Sequence, residues 1–143
     1  MKVSARNVLE GRVTEVVEGA INAEVALELD GGETLVAVIT LQSLKRLEIK
    51  VGSTAIAMIK APWVTLMTDH EGLRLSARNC LSGKVESVSD GAVNAEVALT
   101  LKGGERLYAI VTRPSVEALG LTEGVAATAV IKASHILLAT REE

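Results

Sequence analysis

A chain of 143 residues with 15 Lys and Arg against 18 Asp and Glu, a net charge of −3 and a pI near 5.5 has no broad positive field for holding nucleic acid or an anionic membrane. The single cysteine, Cys80, excludes an intrachain disulfide framework and fits a reducing compartment. The opening MKVSARNVLEG has no apolar signal-type segment and no apolar run is long enough to span a bilayer, so a soluble, cytoplasmic protein is expected. Hydrophobic residues make up 48% but aromatics only 1%, Trp63 and Tyr108, with no Phe. The core must therefore be built from Val, Ile, Leu and Ala, side chains suited to closely set strands.

In chain order, residues 2–17 contain alternating segments that run into VTEVVEG, whose Gly19 turns the chain. Asn22–Leu29 alternates Ala23, Val25, Leu27 and Leu29 with Asn22, Glu24 and Glu28, the pattern of a half-buried strand. Asp30-Gly31-Gly32 signals a hairpin into Glu33–Thr40, whose LVAVI centre is apolar on both faces and predicts a strand covered on both sides. Leu44 and Leu47, three apart among Lys45, Arg46 and Glu48, predict a short amphipathic helix with Thr40 as N-cap. Ala55–Lys60 and Trp63–Thr68 read as two more strands, and Asp69–Leu75, with His70 and Gly72, as a polar link.

At Ser76 the sequence starts again. Residues 4–68 align without a gap on 76–140 at a constant offset of 72, with roughly half the positions identical. In the second copy the helix signal is sharper, with Pro114 in the first turn and Gly120 as a stop. We expect two units, 1–70 and 71–143, each of about five strands with one short helix after the third. The fold class is mainly β, two tandem small OB-like barrels. Units of this size bury only about 60% of their unfolded surface and need to pack on each other or on further chains.

Familiar catalytic devices are missing: there is no GxxxxGK(S/T), no GxGxxG and no HExxH. His70 and His135 are not duplicated and, with one cysteine, make no zinc site, so neither an enzyme nor a bare-cation site is expected. Cys80 aligns with Val8 and reads as a small buried hydrophobe. The recurring Glu24 and Glu96 read as a solvated strand face. The other recurring polar residues are almost all hydrogen-bond donors: Ser4/Ser76, Arg6/Arg78, Thr40/Thr112, Ser43/Ser115 and Lys60/Lys132. Ser4-Ala5-Arg6 adds successive backbone N–H groups. Thr40 and Ser43 also open a helix, where an anion is favoured, although capping alone accounts for such a pair. A site rich in charged donors suits a compact oxyanion. Without an acceptor it disfavours protonated phosphate by roughly 1–3 kcal/mol for the unsatisfied proton, and so favours a tetrahedral dianion such as sulfate, molybdate or tungstate.

Five stretches together, SARN-x-L-x-G-x-V, GA(I/V)NAEV, a GG turn, (V/I)T-x-x-S and IKA, resemble the Mop domain of the molbindins. The likeness covers residues 2–140, and two such domains in tandem resemble a di-Mop molbindin. The resemblance implies a cytoplasmic molybdate- or tungstate-binding protein for molybdenum storage and homeostasis, with no catalytic cofactor. It implies that the oxyanion lies at interfaces between domains. One group comprises Ser4, Ala5, Arg6, Lys60 and Ala61, and the mirrored group Ser76, Ala77, Arg78, Lys132 and Ala133. Each is completed from a neighbouring domain by Thr112 and Ser115 or by Thr40 and Ser43. It also implies a homotrimer of two-domain chains, with secondary oxyanion sites near the three-fold axis for which Asn22 and Asn94 are the candidates. Pro62-Trp63 against Ser134-His135, and Leu41-Gln42 against Arg113-Pro114, are departures between the copies that would make the sites unequal. The competing readings are an OB-type nucleic-acid or protein interaction module without oxyanion specificity, and a sensor module docking on a separate regulator or transporter. The first lacks a repeated aromatic on which bases could stack.

Overall fold

The computed structural model describes residues 2–69 and 72–142; His70, expected in the link, lies outside the described residues. In the first half, strands β1 (Asn7–Glu18), β2 (Asn22–Glu28) and β3 (Thr34–Thr40) form an antiparallel meander. They are followed by helix α1 (Leu41–Arg46), β4 (Thr54–Ile59), a 3-10 turn over Ala61–Trp63 and β5 (Thr65–Met67). The second half repeats the order with β6 (Asn79–Asp90), β7 (Asn94–Leu101), β8 (Arg106–Thr112), α2 (Arg113–Leu119), β9 (Ala126–Ile131), a 3-10 turn over Ala133–His135 and β10 (Leu137–Ala139). The mainly-β fold and the helix after the third strand are as the sequence predicts.

The halves trade their last strands. One five-stranded sheet runs β10-β4-β1-β2-β3 and the other β5-β9-β6-β7-β8. Leu137, Leu138 and Ala139 pair with Met58, Ala57 and Ile56, while Thr65, Leu66 and Met67 pair with Val130, Ala129 and Thr128. Both sheets curl as half-barrels. The 3-10 turn that precedes each exchanged strand packs on the far edge of the recipient sheet, the Ala133–His135 turn on β3 and the Ala61–Trp63 turn on β8. A single apolar cluster spans both halves, with Leu9, Val25, Leu27 and Leu35 from one and Leu81, Val97, Leu99 and Leu107 from the other. At full burial such side chains each contribute about 1.5–3 kcal/mol relative to exposure, so this shared core is the main term holding the halves together.

Strand periodicity explains most of the burial and corrects two expectations. In β1 the buried Asn7, Leu9, Gly11 and Val13 alternate with exposed neighbours until a bulge between Val13 and Glu15 shifts the register. The same alternation in β6 turns Asn79 and Leu81 inward, so Cys80 is exposed rather than buried. In β3 only Leu35 and Ala37 are buried, whereas Val36 and Val38 are half-buried. Its outer face is thus partly rather than fully covered, and the strand forms one edge of its sheet.

Its unpaired backbone is closed by a side chain. Asn79 Oδ1 accepts from the Val36 N–H at 2.7 Å, and Asn79 Nδ2 donates to the Val36 carbonyl at 2.8 Å. The mirrored Asn7 holds the Tyr108 N–H and carbonyl at 2.7 and 2.8 Å. Both asparagines are 1% exposed, and each amide supplies the donor and the acceptor that an edge rung lacks. A second contact joins the two GG hairpins: Glu105 Oε2 accepts from the Asp30 N–H and Glu33 Oε2 from the Lys102 N–H, both at 3.2 Å. There a Cβ on Gly31 would overlap the backbone of Gly103, and one on Gly103 that of Gly31. Glycine recurs at this position because two backbones meet.

Asn7→Ala should lower stability by about 2–4 kcal/mol, since it strands a buried donor and acceptor together; denaturant unfolding measures the loss. The repeat also contains an internal control at the helix ends. Helix α2 stops at Gly120 with φ +64°, while the matching residue after α1 is Glu48 at φ +54°, a region that disfavours a side chain. Glu48→Gly should therefore raise stability by roughly 0.5–1 kcal/mol, the strain relieved less the added chain entropy of glycine, seen as a higher unfolding midpoint.

Candidate functional site

The β1–β4 ladder ends at the Asn7–Ile59 pair, so Arg6 and Lys60 leave the sheet side by side, with Ser4-Ala5 beyond one and the buried Ala61 beyond the other. Lys60 begins the Ala61–Trp63 turn in extended conformation. The β6–β9 ladder ends in the same way at Asn79–Ile131, placing Ser76-Ala77-Arg78 beside Lys132-Ala133. The structure thus brings together the SAR and Lys-Ala residues of each copy. Among the described residues neither lysine forms an ion pair, and both are exposed.

The other candidates form a second group. Thr40 caps α1, accepting from the Ser43 N–H at 3.0 Å and donating to Ser43 Oγ at 2.8 Å. Thr112 accepts from the Ser115 N–H at 3.3 Å, with the two hydroxyls 2.8 Å apart. Asn22 lies opposite Thr40 in the β2–β3 register and Asn94 opposite Thr112 in β7–β8, so the residues read as secondary candidates adjoin the Thr–Ser pairs.

The two groups approach across the halves. The Ala61–Trp63 turn packs on β8, Asn7 grips Tyr108, and the Arg6 guanidinium lies 4.0 Å above the Tyr108 ring. Arg6 also reaches Glu96, one same-face step along β7 from Asn94. The first SAR/Lys-Ala group therefore faces the strands that lead to Thr112 and Ser115. By the mirrored contacts of Asn79 and Arg78, the second faces those leading to Thr40 and Ser43. Among the described residues, no hydrogen bond or ion pair joins the Thr–Ser pairs to Arg6, Arg78 or the lysines.

The residues around the two arginines are not donors alone, and Glu24 and Glu96 are not the solvated face expected of them. Arg6 Nε and Nη2 donate to Glu96 Oε2 and Oε1 at 3.0 and 2.7 Å, a two-pronged pair. Arg78 Nη1 donates to Glu24 Oε1 at 2.6 Å. Duplication of the glutamates was the available signal, but strand alternation gave them no partner, because the partner sits 90 residues away in sequence for Arg6–Glu96. Tyr108, which has Val36 at the matching position, carried no such signal.

The TOBE domain matches twice, over residues 3–66 and 75–138. The chain belongs to the TOBE-domain family. Its two TOBE domains are 45% identical over 139 residues to the molybdenum-pterin-binding protein MopA of Rhodobacter capsulatus, covering 97% of this chain and 52% of that protein. They are 40% identical over 143 residues to the molybdenum transport protein ModE of Herbaspirillum seropedicae, covering 100% of this chain and 53% of that one. The chain thus spans about half the length of these relatives. A crystal structure of the cytoplasmic molybdate-binding protein ModG with molybdate bound is 52% identical and superposes with a TM-score of 0.96, covering 99% of this chain and 100% of that one.

Electrostatics across the TOBE pair follow from the Arg6–Glu96 contact. The hydrogen bond from Arg6 holds the Glu96 carboxyl below its ordinary value of 4.5, against a smaller opposing effect of burial. The same bond raises the already high Arg6. A carboxyl lowered on folding stabilises the folded state fully above its ordinary value, and that contribution is lost as pH falls through the lowered folded value. Glu96→Gln should accordingly flatten the acid side of the stability profile below pH 4.5 while leaving its neutral-to-alkaline shape alone, as followed by thermal melts across pH.

Proposed function

We propose that this protein is a non-enzymatic oxyanion binder that takes up molybdate or tungstate for intracellular molybdenum storage and homeostasis. The observation that carries this reading is the duplicated donor group. Two copies of SAR beside Lys-Ala each present, at the end of a ladder, a lysine that forms no ion pair among the described residues, in a chain of which 99% superposes on a molybdate-binding protein. In this reading, Ser4, Ala5, Arg6, Lys60 and Ala61 bind one ion with Thr112 and Ser115, and Ser76, Ala77, Arg78, Lys132 and Ala133 bind another with Thr40 and Ser43. The packing of each 3-10 turn on the opposite half's edge strand supports pairing within one chain. Asn22 and Asn94 are the proposed secondary binding residues.

The chemistry is that of charge-assisted hydrogen bonds from side chains and from backbone N–H groups to a tetrahedral dianion. The ligand is cargo, and no catalytic cofactor belongs to the reading. Residues 1–70 and 71–143 act as the two Mop-type units, and three chains assemble in the cytoplasm. The partners are the oxyanion and further copies of the chain, with neither nucleic acid nor membrane among them. A second reading rests on relatives that are about twice as long: the same two domains would serve as the oxyanion-sensing part of a larger regulatory system. A regulatory partner retained on a column of this protein only in the presence of molybdate would favour it.

Titration calorimetry should show tight molybdate binding, with sulfate and phosphate far weaker. Arg6→Ala combined with Arg78→Ala should weaken the molybdate isotherm at least tenfold, a loss of about 1.4 kcal/mol per bound ion. An unchanged isotherm in that double variant would refute the assignment. Native mass spectrometry with and without molybdate gives the subunit count, where three is expected, together with the number of bound ions.

A further inference from the structure

The two donor groups are near-copies in sequence, yet their arginines are held differently. Arg6 donates through Nε and Nη2 to both oxygens of Glu96, and its Cζ lies over the Tyr108 ring, 4.0 Å from the centroid, so one whole edge of the guanidinium is engaged and the group is held over an aromatic ring. Among the described residues Arg78 makes one polar side-chain contact, from Nη1 to Glu24, and Val36 stands where the other half has Tyr108. The side chains of the first pair are 51% and 31% exposed and those of the second 54% and 43%, so solvent screens both and the difference lies in the number of engaged groups.

We propose that Glu96 and Glu24 are affinity-setting residues that compete with the oxyanion for Arg6 and Arg78. Because Glu96 and Tyr108 hold Arg6 more firmly, the site built on Arg78 is the tighter of the two. This rests on the oxyanion reading above. An anion that uses the guanidinium must either displace the carboxylate or lie beside it, and both lower affinity. Displacement reduces the fraction of arginine competent to bind, and coexistence places a carboxylate next to a dianion. The engaged edge is the one through which a guanidinium makes its two-pronged contact with a carboxylate or a tetrahedral oxyanion, and only in the first half is it wholly committed. The feature that tunes affinity is therefore an acceptor set among donors, and it differs between the halves in a second hydrogen bond and an aromatic ring that Arg6 has and Arg78 lacks.

The test isolates each site. Lys132→Ala removes a donor from the Arg78 site and Lys60→Ala one from the Arg6 site, so molybdate titrations of these two variants report mainly on the opposite site. Binding should be tighter in Lys60→Ala, where the Arg78 site is intact, than in Lys132→Ala. Adding Glu96→Gln to Lys132→Ala should tighten binding roughly fivefold, and adding Glu24→Gln to Lys60→Ala roughly twofold, the scale of partly exposed ion pairs. Tyr108→Val, which gives the first half the residue of the second and leaves the Asn7 clamp on backbone atoms, should move the Arg6 site toward the affinity of the Arg78 site. This variant keeps the proposal testable if Glu96→Gln does not fold. Equal affinities in the two lysine variants, or unchanged or weaker binding on adding Glu96→Gln, would overturn the competitive role while the oxyanion reading stands. Absence of molybdate binding in the unsubstituted protein would overturn the reading itself and this inference with it.

Discussion

Each sheet of this protein contains a strand that only the other half of the chain supplies, and the remaining features follow from that exchange. A three-residue strand is too short to hold its place by ladder bonds alone. Here it is delivered by a 3-10 turn that packs on the opposite edge of the recipient sheet, so the turn and the strand clasp both ends of one curled sheet. Because the trade is mutual, neither half can be removed without unpairing an edge of the other. The apolar cores merge into one cluster for the same reason. Small β units that would each be marginal gain the burial of a larger domain while keeping two copies of every surface feature.

The exchange also places the donor groups. Lys60 and Lys132 are the residues from which the 3-10 turns start, and Arg6 and Arg78 leave the sheet beside them. Whatever holds the turn against the partner edge therefore holds the lysine and arginine against the partner half. Asn7 and Asn79 fix the register of that contact to a single rung, Tyr108 or Val36, because an amide that binds both N–H and carbonyl of one residue cannot slide by one without losing both bonds. The SARN segment thus combines an anchor and a presenting arm: the asparagine is buried in the interface, and the three residues before it are displayed.

Much of this was legible in the sequence, and the limits of legibility are physical. The strands, the Thr40 and Thr112 caps, Pro114 at the start of α2 and Gly120 at its end are local signals, and each appears where its chemistry predicts. The donor groups were legible because a gap-free repeat exposes residues that persist beside drifting neighbours. What escaped were contacts between distant positions. Alternation along β2 and β7 puts Glu24 and Glu96 on the outer face but says nothing of an arginine arriving from the other half. The apolar run in β3 suggests two covered faces and cannot show that an asparagine amide, not another strand, closes its edge. The exposure of Cys80 was recoverable from the alternation of β6, since its neighbours Asn79 and Leu81 point inward, but an isolated cysteine invites the commoner reading of a core residue.

The halves differ most sharply where their turns meet. Trp63 and His135 occupy matching positions and stack on each other, ring centroids 4.8 Å apart and tilted by 37°, while His135 Nδ1 is buried without a hydrogen-bond partner among the described residues. The tilted contact is of the kind π systems favour over a face-to-face sandwich, and it packs the two turns closely together. It also ties the two lysine-bearing turns to each other through one ring pair, so a shift of either turn is felt at the start of both. A duplicated chain whose halves exchange strands keeps its two donor groups close to equivalent through backbone contacts. It makes them different through side chains such as Trp63, His135 and Tyr108, whose identity the backbone contacts of the exchange do not fix.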